Sequence, residues 1–583
     1  MRTNHKSLHL LPSAGMLGFA LGALALFWPL LGAHGRVHWG GDFDSDLMYW
    51  IFEWGYSSIW GAGHWADFWQ ANSFYPHTQS LAYSDSLLTG QLFYGPLRLL
   101  GADPLRAMQG TLIAFCLLGC LCSDLALRRA GLTWLERLTV IIIAHFGLAT
   151  TAFLPGHYQL FAFQLGPACL TFMYLFWRDL KVGDALAAVS LFAFATGFAT
   201  YFGPMTVALV FPYSLWRLTR LYREVGWRRL CVRLIHPGLL LPTLGILIVL
   251  YVVQIHPYLA LHHGGIRPST REIESYAAWA DSLFQLGNVY SYWHADAVPR
   301  YGAWEYAYFP GYLPLCAALF GLSAVLLHGR GKHAVEKSTL PPGWLVFVAY
   351  IFTASWVLSL GPRIELGSLR LPTPYAALRD FMPGFSGIRA PGRFGLYFGL
   401  MLGTSLVLLA RQLSVFTSGK ARAWILPLIA LAAAVESLPL TSVYPFQIRH
   451  EEFYRSISAD LHGNKPLLIL PIVGKDHLAT LRNIMEQLKG STLHGSLLPV
   501  GYGYRCTAEL DRLIDLDRRW MQTDGGGVQL FHYAAGLGIA KVLVFVDDYP
   551  QETRSHIVAE LKAAGSITRQ YPNSCSLVEI TPK

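Results

Sequence analysis

Apolar stretches long enough to cross a bilayer recur through the first 440 residues, and they leave that part of the chain few folds other than a bundle of membrane helices. They lie at about 10–31, 107–127, 135–154, 161–177, 237–254, 310–328, 343–360, 393–412 and 424–440. Each holds roughly the 17 to 25 residues that ~30 Å of hydrocarbon requires. A further apolar segment, 184–216, is too long for one span and is interrupted by Gly203-Pro204, so it reads as two short spans meeting near Tyr201. The expected total is about eleven transmembrane helices. Composition points the same way: 53% of residues are hydrophobic and 14% charged, against ~25% charged in ordinary soluble domains.

The charges between the stretches set an orientation, because Lys and Arg favour short cytoplasmic loops. Arg2 and Lys6 precede the first stretch; Arg128, Arg129 and Arg137 follow the second; Arg178 and Lys181 follow the fourth. Arginines from Arg217 to Arg233 lie between the sixth and seventh, Lys332 and Lys337 follow the eighth, and Arg411, Lys420 and Arg422 follow the tenth. Eleven spans place all of these on one side. The expectation is a multi-pass protein of a bacterial inner membrane, with a cytoplasmic N-terminus and an extracytoplasmic C-terminal region. The net charge of +9 is spread over these loops rather than gathered into a patch, which argues against nucleic acid as a partner. The first stretch reads as an anchored helix rather than a cleaved signal peptide, since it is long and carries no clear small-residue cleavage pattern. Eight cysteines form no dense disulfide framework. Cys506 and Cys575 share the last segment and either pair there or stay reduced.

The expected organisation is therefore a transmembrane domain over 1–440, with large outer loops at 32–106, 255–309 and 361–392, followed by an extracytoplasmic α/β domain over 441–583. Within the first loop, 47–60 carries apolar residues at helical spacing and suggests a helix lying along the membrane. In the last segment, 466–471 and 541–547 read as buried strands, and the runs near 476–489 and 551–564 as helices. No glycine-rich nucleotide loop accompanies them.

Chemistry-bearing residues gather in the outer loops. Asp42, Asp44 and Asp46 follow the first span at alternating positions. Extended backbone would put them on one face, whereas a helix start would use Asp46 as a cap. A cap or solvated turn accounts for one or two of them without function. A carboxylate beside aromatic residues can instead serve as a general base or orient an acceptor hydroxyl, and Asp44, flanked by the other two, is the first choice. His157 and Gln159 crowd a very short loop, where an imidazole can reach phosphate or a sugar hydroxyl or simply sit at the interface beside Tyr158. Arg389 and Arg393 share a face if a helix begins early, whereas Pro391 permits a start between them. A guanidinium fork suits a phosphate leaving group, or a lipid headgroup. The middle loop offers His294, Asp296 and Glu305 among tyrosines and tryptophans suited to stacking on sugar rings. His294 and Asp296 leave a divalent metal open, without a compact ligand spacing to specify one. Asp85 is either a cavity acid or the N-cap of the segment after it.

These features together resemble the GT-C superfamily of polytopic glycosyltransferases, in its bacterial branch that uses polyprenyl-phosphate-linked sugars. The resemblance rests on the acidic Gly41-Asp42-Phe43-Asp44-Ser45-Asp46 after the first span, Phe74-Tyr75-Pro76, Leu81-Ala82-Tyr83-Ser84-Asp85, Pro155-Gly156-His157-Tyr158-Gln159 and Arg389-Ala390-Pro391-Gly392-Arg393-Phe394. It covers about residues 10–440. It implies inverting transfer of a sugar from a polyprenyl-phosphate donor to an extracytoplasmic glycan, lipid or protein acceptor. The family's acid after the first span maps to Asp42, Asp44 or Asp46. The Asp-Glu pair of the protein-mannosylating branch is missing there, which weakens protein mannosylation without removing sugar transfer. Two other classes remain: a lipid or polysaccharide transporter, whose path charged groups would line, and a membrane assembly scaffold.

Overall fold

The computed structural model describes residues 13–580 apart from 34–35, 41–42, 62, 264–267, 285–308, 329–339, 342, 367–368, 418, 462–464, 503–506, 523–524, 564–566 and 572–574. Two compact units interleave along the sequence. The first comprises Met1–His34, Gln109–His256 and Arg267–Tyr444, the second Gly35–Met108, Pro257–Ile266 and Pro445–Lys583.

The first unit is a helical bundle. Its helices form over the expected apolar stretches, among them Ala14–Gly32, Trp134–Phe146, Val182–Phe198, Phe202–Val225, Trp344–Ser359 and Gly419–Glu436. The helix pair Val182–Phe198 and Phe202–Val225 breaks at residues 199–201, as expected near Tyr201. Glycines let three helices close up. A Cβ on Gly399 or Gly403 would come within 2.5 Å of Ala144 Cα or 2.8 Å of Val140 Cα, and one on Gly18 within 2.7 Å of Ile141, the small-residue contact that membrane helices use to approach.

The span count is corrected. Among the described residues, four helices are long and apolar enough to cross a membrane: Pro104–Ala130, Tyr158–Asp179, Pro237–Leu261 and Pro391–Leu413. Several of the other helices are short or charged. Val182–Phe198 and Trp344–Ser359 are apolar but no longer than 17 residues, roughly 26 Å at 1.5 Å per residue. Gly147 ends Trp134–Phe146 early, and Phe202–Val225 carries Arg217, Arg220 and Arg223. Several of the basic residues pair locally: Arg178 donates to the carbonyl of Arg129, which pairs with Asp184 at 2.9 Å, while Arg411 pairs with Glu136 and Arg137 with Asp124.

The second unit holds a mixed four-stranded sheet of β1 (Leu467–Leu470), β2 (Lys541–Phe545), β3 (Ile567–Tyr571) and β4 (Cys575–Glu579), in the order β1-β2-β4-β3. β1 and β2 run parallel with Leu467 opposite Lys541, and the other pairings are antiparallel. The helices expected near 476–489 and 551–564 are His477–His494 and Gln551–Ala563. The helix expected at 47–60 forms over Phe43–Ile59, but not as a surface element. Leu47 through Phe52 are all buried, the mark of a helix that is apolar all round and packed inside. The first-loop segment also supplies backbone to the C-terminal part: Phe74 and Tyr75 donate to the carbonyls of Val500 and Leu498. Cys575 is a free, buried thiol, pushed up to about 12 by burial, and Cys506 lies outside the described residues.

Candidate functional sites

In the second unit the acids sit at the start of helix Phe43–Ile59, with Asp44 and Asp46 in its first turn; Asp42 lies outside the described residues. Asp46 is not simply a cap. Its Oδ2 accepts from Lys489 Nζ at 3.0 Å, and that ammonium also meets Glu486 Oε1 at 3.0 Å and the carbonyl of Gln447 at 2.7 Å. The Lys489 side chain is 4% exposed and lies 5.2 Å from the Phe446 ring centre. One turn along, Tyr49 packs tilted against Phe446 with ring centres 4.6 Å apart and hydrogen-bonds Thr492. His38, edge-on to the same ring, is lowered to about 4, first by burial and then by the charge of Lys489, and so stays neutral near pH 7. Burial also pushes Tyr49 up to about 12.

Asp85 is half-buried between two short 3-10 turns, Ser80–Tyr83 and Leu88–Gly90. The cap position of the second turn belongs to Leu87, so the N-cap reading of Asp85 is set aside. Tyr258, from the middle loop, donates to the carbonyl of Ser84 beside it at 2.8 Å. His294, Asp296 and Glu305 lie outside the described residues. Among the described residues, no group of three His, Cys, Asp or Glu side chains is arranged to hold a metal ion.

In the first unit, interrupted helices meet. The 3-10 stretch Tyr158–Leu165 carries Gln159, and a second, Pro391–Tyr397, carries Arg393. Phe163 brings them together with the break at 199–201: its ring lies 5.9 Å from Tyr201 and 5.3 Å from Tyr397. Pro391 opens its turn at the first position, so the start falls between the two arginines and separates them. Arg393 is buried, with its guanidinium 5.3 Å from the Tyr201 ring centre. Arg389 turns elsewhere, onto the Tyr276 ring at 5.0 Å and 3.9 Å from Glu272. Gln159 is buried, and its Oε1 has no hydrogen-bond partner among the described residues. His157, just before this stretch, is half-buried. A further polar contact escaped sequence reasoning. The π turn Tyr251–Ile255 points Gln254 inward, where its Nε2 donates to Thr200 Oγ1 at 3.0 Å. Irregular backbone inside an apolar bundle needs such internal partners, and π turns concentrate at functional positions.

Sequence reasoning also missed Lys489 and His38. The signal for Lys489 was present but weak: one ammonium on the buried side of the helix His477–His494.

No protein-family model matches the chain, and no curated protein matches it in sequence. Among solved structures, the arabinofuranosyltransferase AftD from Mycobacteria superposes with a TM-score of 0.56 at 13% identity, over 98% of this chain and 40% of that one. The chain therefore spans well under half of AftD. The oligosaccharyltransferase AglB of Archaeoglobus fulgidus, bound to an inhibitory peptide and a dolichol-phosphate, gives 0.46 at 8% identity, over 92% of this chain and 69% of that one. Its apo form gives 0.47 at 9% over the same shares; both likenesses are too slight to argue from. What the AftD superposition establishes is the fold alone: this largely helical chain shares its architecture with part of AftD.

Proposed function

We propose that the protein is an inverting glycosyltransferase that moves a sugar from a polyprenyl-phosphate-linked donor to an extracytoplasmic glycan, lipid or protein acceptor. The observation that carries this reading is the buried Arg393, held on the face of Tyr201 where interrupted helices meet. A cation kept inside an apolar bundle is costly and marks function, and a guanidinium is suited to a phosphate leaving group. The shared fold with AftD, a glycosyltransferase by name, is supporting analogy only.

In this reading Asp44 is the base that activates or orients the acceptor hydroxyl, with Asp42 and Asp46 beside it, and Arg393 offsets charge on the departing lipid phosphate, with Arg389 further out. Gln159, His157 and Asp85 bind substrate, with His294, Asp296 and Glu305 of the middle loop. The donor carries its own activated linkage, so no cofactor is needed for the bond change; a divalent metal remains an additional partner to test. We place the protein in a bacterial inner membrane as a multi-pass chain, N-terminus cytoplasmic and 441–583 outside. A cysteine introduced near Lys541 should therefore label from the outer side, and labelling from the cytoplasm alone would overturn the orientation.

The activity test supplies purified protein with a panel of polyprenyl-phosphate sugars and scores both sugar transfer and release of the lipid phosphate. Transfer with release is expected. Movement of intact lipid across the bilayer without release would favour a transporter, and neither outcome would favour a scaffold.

A further inference from the structure

We propose that Lys489, from the C-terminal part of the chain, is a positioning residue for the acidic cluster: its ammonium fixes Asp46, so that the helix start holds Asp44 toward the acceptor. This inference rests on the glycosyltransferase reading and gives the C-terminal domain a part in it.

An ammonium has three N–H donors. Those of Lys489 meet three acceptors, the carboxylates of Asp46 and Glu486 and the carbonyl of Gln447, all within 3.0 Å. The group is saturated by protein and has nothing left to offer a substrate, so its role is exerted through Asp46. Its partners are themselves held. Glu486 Oε2 accepts the backbone N–H of Arg449 at 2.9 Å, and the Arg449 guanidinium reaches Asn483 Oδ1 at 3.1 Å and Asp548 Oδ2 at 3.5 Å. Asp548 also takes His450 Nε2 at 2.9 Å, and these neighbours hold its carboxyl below the usual range against the opposing effect of burial. A continuous set of contacts therefore runs from the end of β2 to the first turn of the acidic helix.

Without the ammonium, Asp46 and Glu486 would be left as two carboxylates with no cation between them. Breaking a buried pair from one side leaves an uncompensated charge. The helix start, and Asp44 two residues before Asp46, would then move. Displacements of about 1 Å are enough to cost on the order of a hundredfold in rate.

The test uses the full chain and a polyprenyl-phosphate sugar that the wild-type protein turns over. Lys489→Met is expected to lower kcat by on the order of ten- to a hundredfold while leaving the KM for donor unchanged. Lys489→Arg should recover most of the loss, because it keeps the charge. Asp46→Asn/Lys489→Met should be no worse than Lys489→Met alone, because the two residues act as a unit. Wild-type kcat in Lys489→Met overturns the inference. So does a loss in which kcat, donor KM and thermal unfolding shift together and Lys489→Arg recovers nothing, since that is the pattern of a purely structural pair. Should Lys489→Met fail to fold, Asp46→Asn carries the test: reduced kcat at unchanged KM supports the inference and normal kcat overturns it. Absence of transfer by the wild-type chain with every donor would defeat the glycosyltransferase reading itself, and the inference with it.

Discussion

The two units each bury a charge, and they treat it differently. In the second unit Asp46 and Lys489 satisfy one another within a closed set of acceptors. In the first, Arg393 lies against the flat face of Tyr201, a partner that attracts a cation without accepting an N–H in the plane of its fork. One cation is enclosed by two carboxylates and a carbonyl, whereas the other is laid on an aromatic face where interrupted helices meet. In the proposed reading the first unit meets the phosphate and the second holds an acid in position.

The most severe way to break this comparison is at the acids. Asp44→Asn should lower turnover by roughly a hundredfold or more, as expected for loss of a general base, with donor binding retained. Asp46→Asn should cost less. Steady-state kinetics on the folded variants decides the order, and near-normal transfer by these two and by Asp42→Asn would remove the cluster from catalysis.

A smaller effect is expected at the arginines. Arg393→Gln should weaken donor binding about tenfold, in keeping with the ~1.5–3 kcal/mol of hydrogen bonds to charged groups. Arg389→Gln should change it little, because its side chain is 30% exposed and its carboxylate partner stands 3.9 Å away. Donor titration of both variants tests the contrast, and equal losses would erase it.

The smallest effect sharpens the contrast with a third buried group. Asp517 is buried and, among the described residues, accepts from neutral donors, the amides of Ile472 and Val473 and the hydroxyl of Tyr549. Burial raises its carboxyl to about 6, against the opposing effects of those donors and of the Arg518 charge. As pH rises from about 4, the unfolded chain gives up this proton first, so the stability contributed at low pH is lost by about pH 6, amounting to roughly 1–3 kcal/mol. Thermal unfolding of wild type relative to Asp517→Asn should therefore fall across that window and level off above it. A difference independent of pH would contradict the assignment.

Much of this architecture was legible in the sequence, in proportion to how local its cause is. Helices form where 3.6-residue apolar periodicity predicts them, and 466–471 and 541–547 give adjacent strands. Pro391 foretold a turn start between Arg389 and Arg393. Burial was harder to read. The aromatic run at 47–60 suits a membrane surface as well as a core, and only the segment that covers it, supplied from beyond residue 445, decides between them. The Asp46–Lys489 pair was hidden for the same reason, because its members lie more than four hundred residues apart. Span number failed differently: composition marks apolar segments but does not reveal where 3-10 turns and breaks shorten their helices.

The second unit's discontinuity also sets a schedule for its synthesis. Gly35–Met108 is translated early, yet the Pro445–Lys583 segment it packs with emerges roughly 340 residues later, tens of seconds at about 5–20 residues per second. Throughout that interval Leu47 through Phe52, buried in the finished protein, lack the part of their cover that the end of the chain supplies, such as Phe446 against Tyr49. A ribosome that stalls before residue 445 therefore releases a product whose first loop remains a substrate for chaperones and proteases.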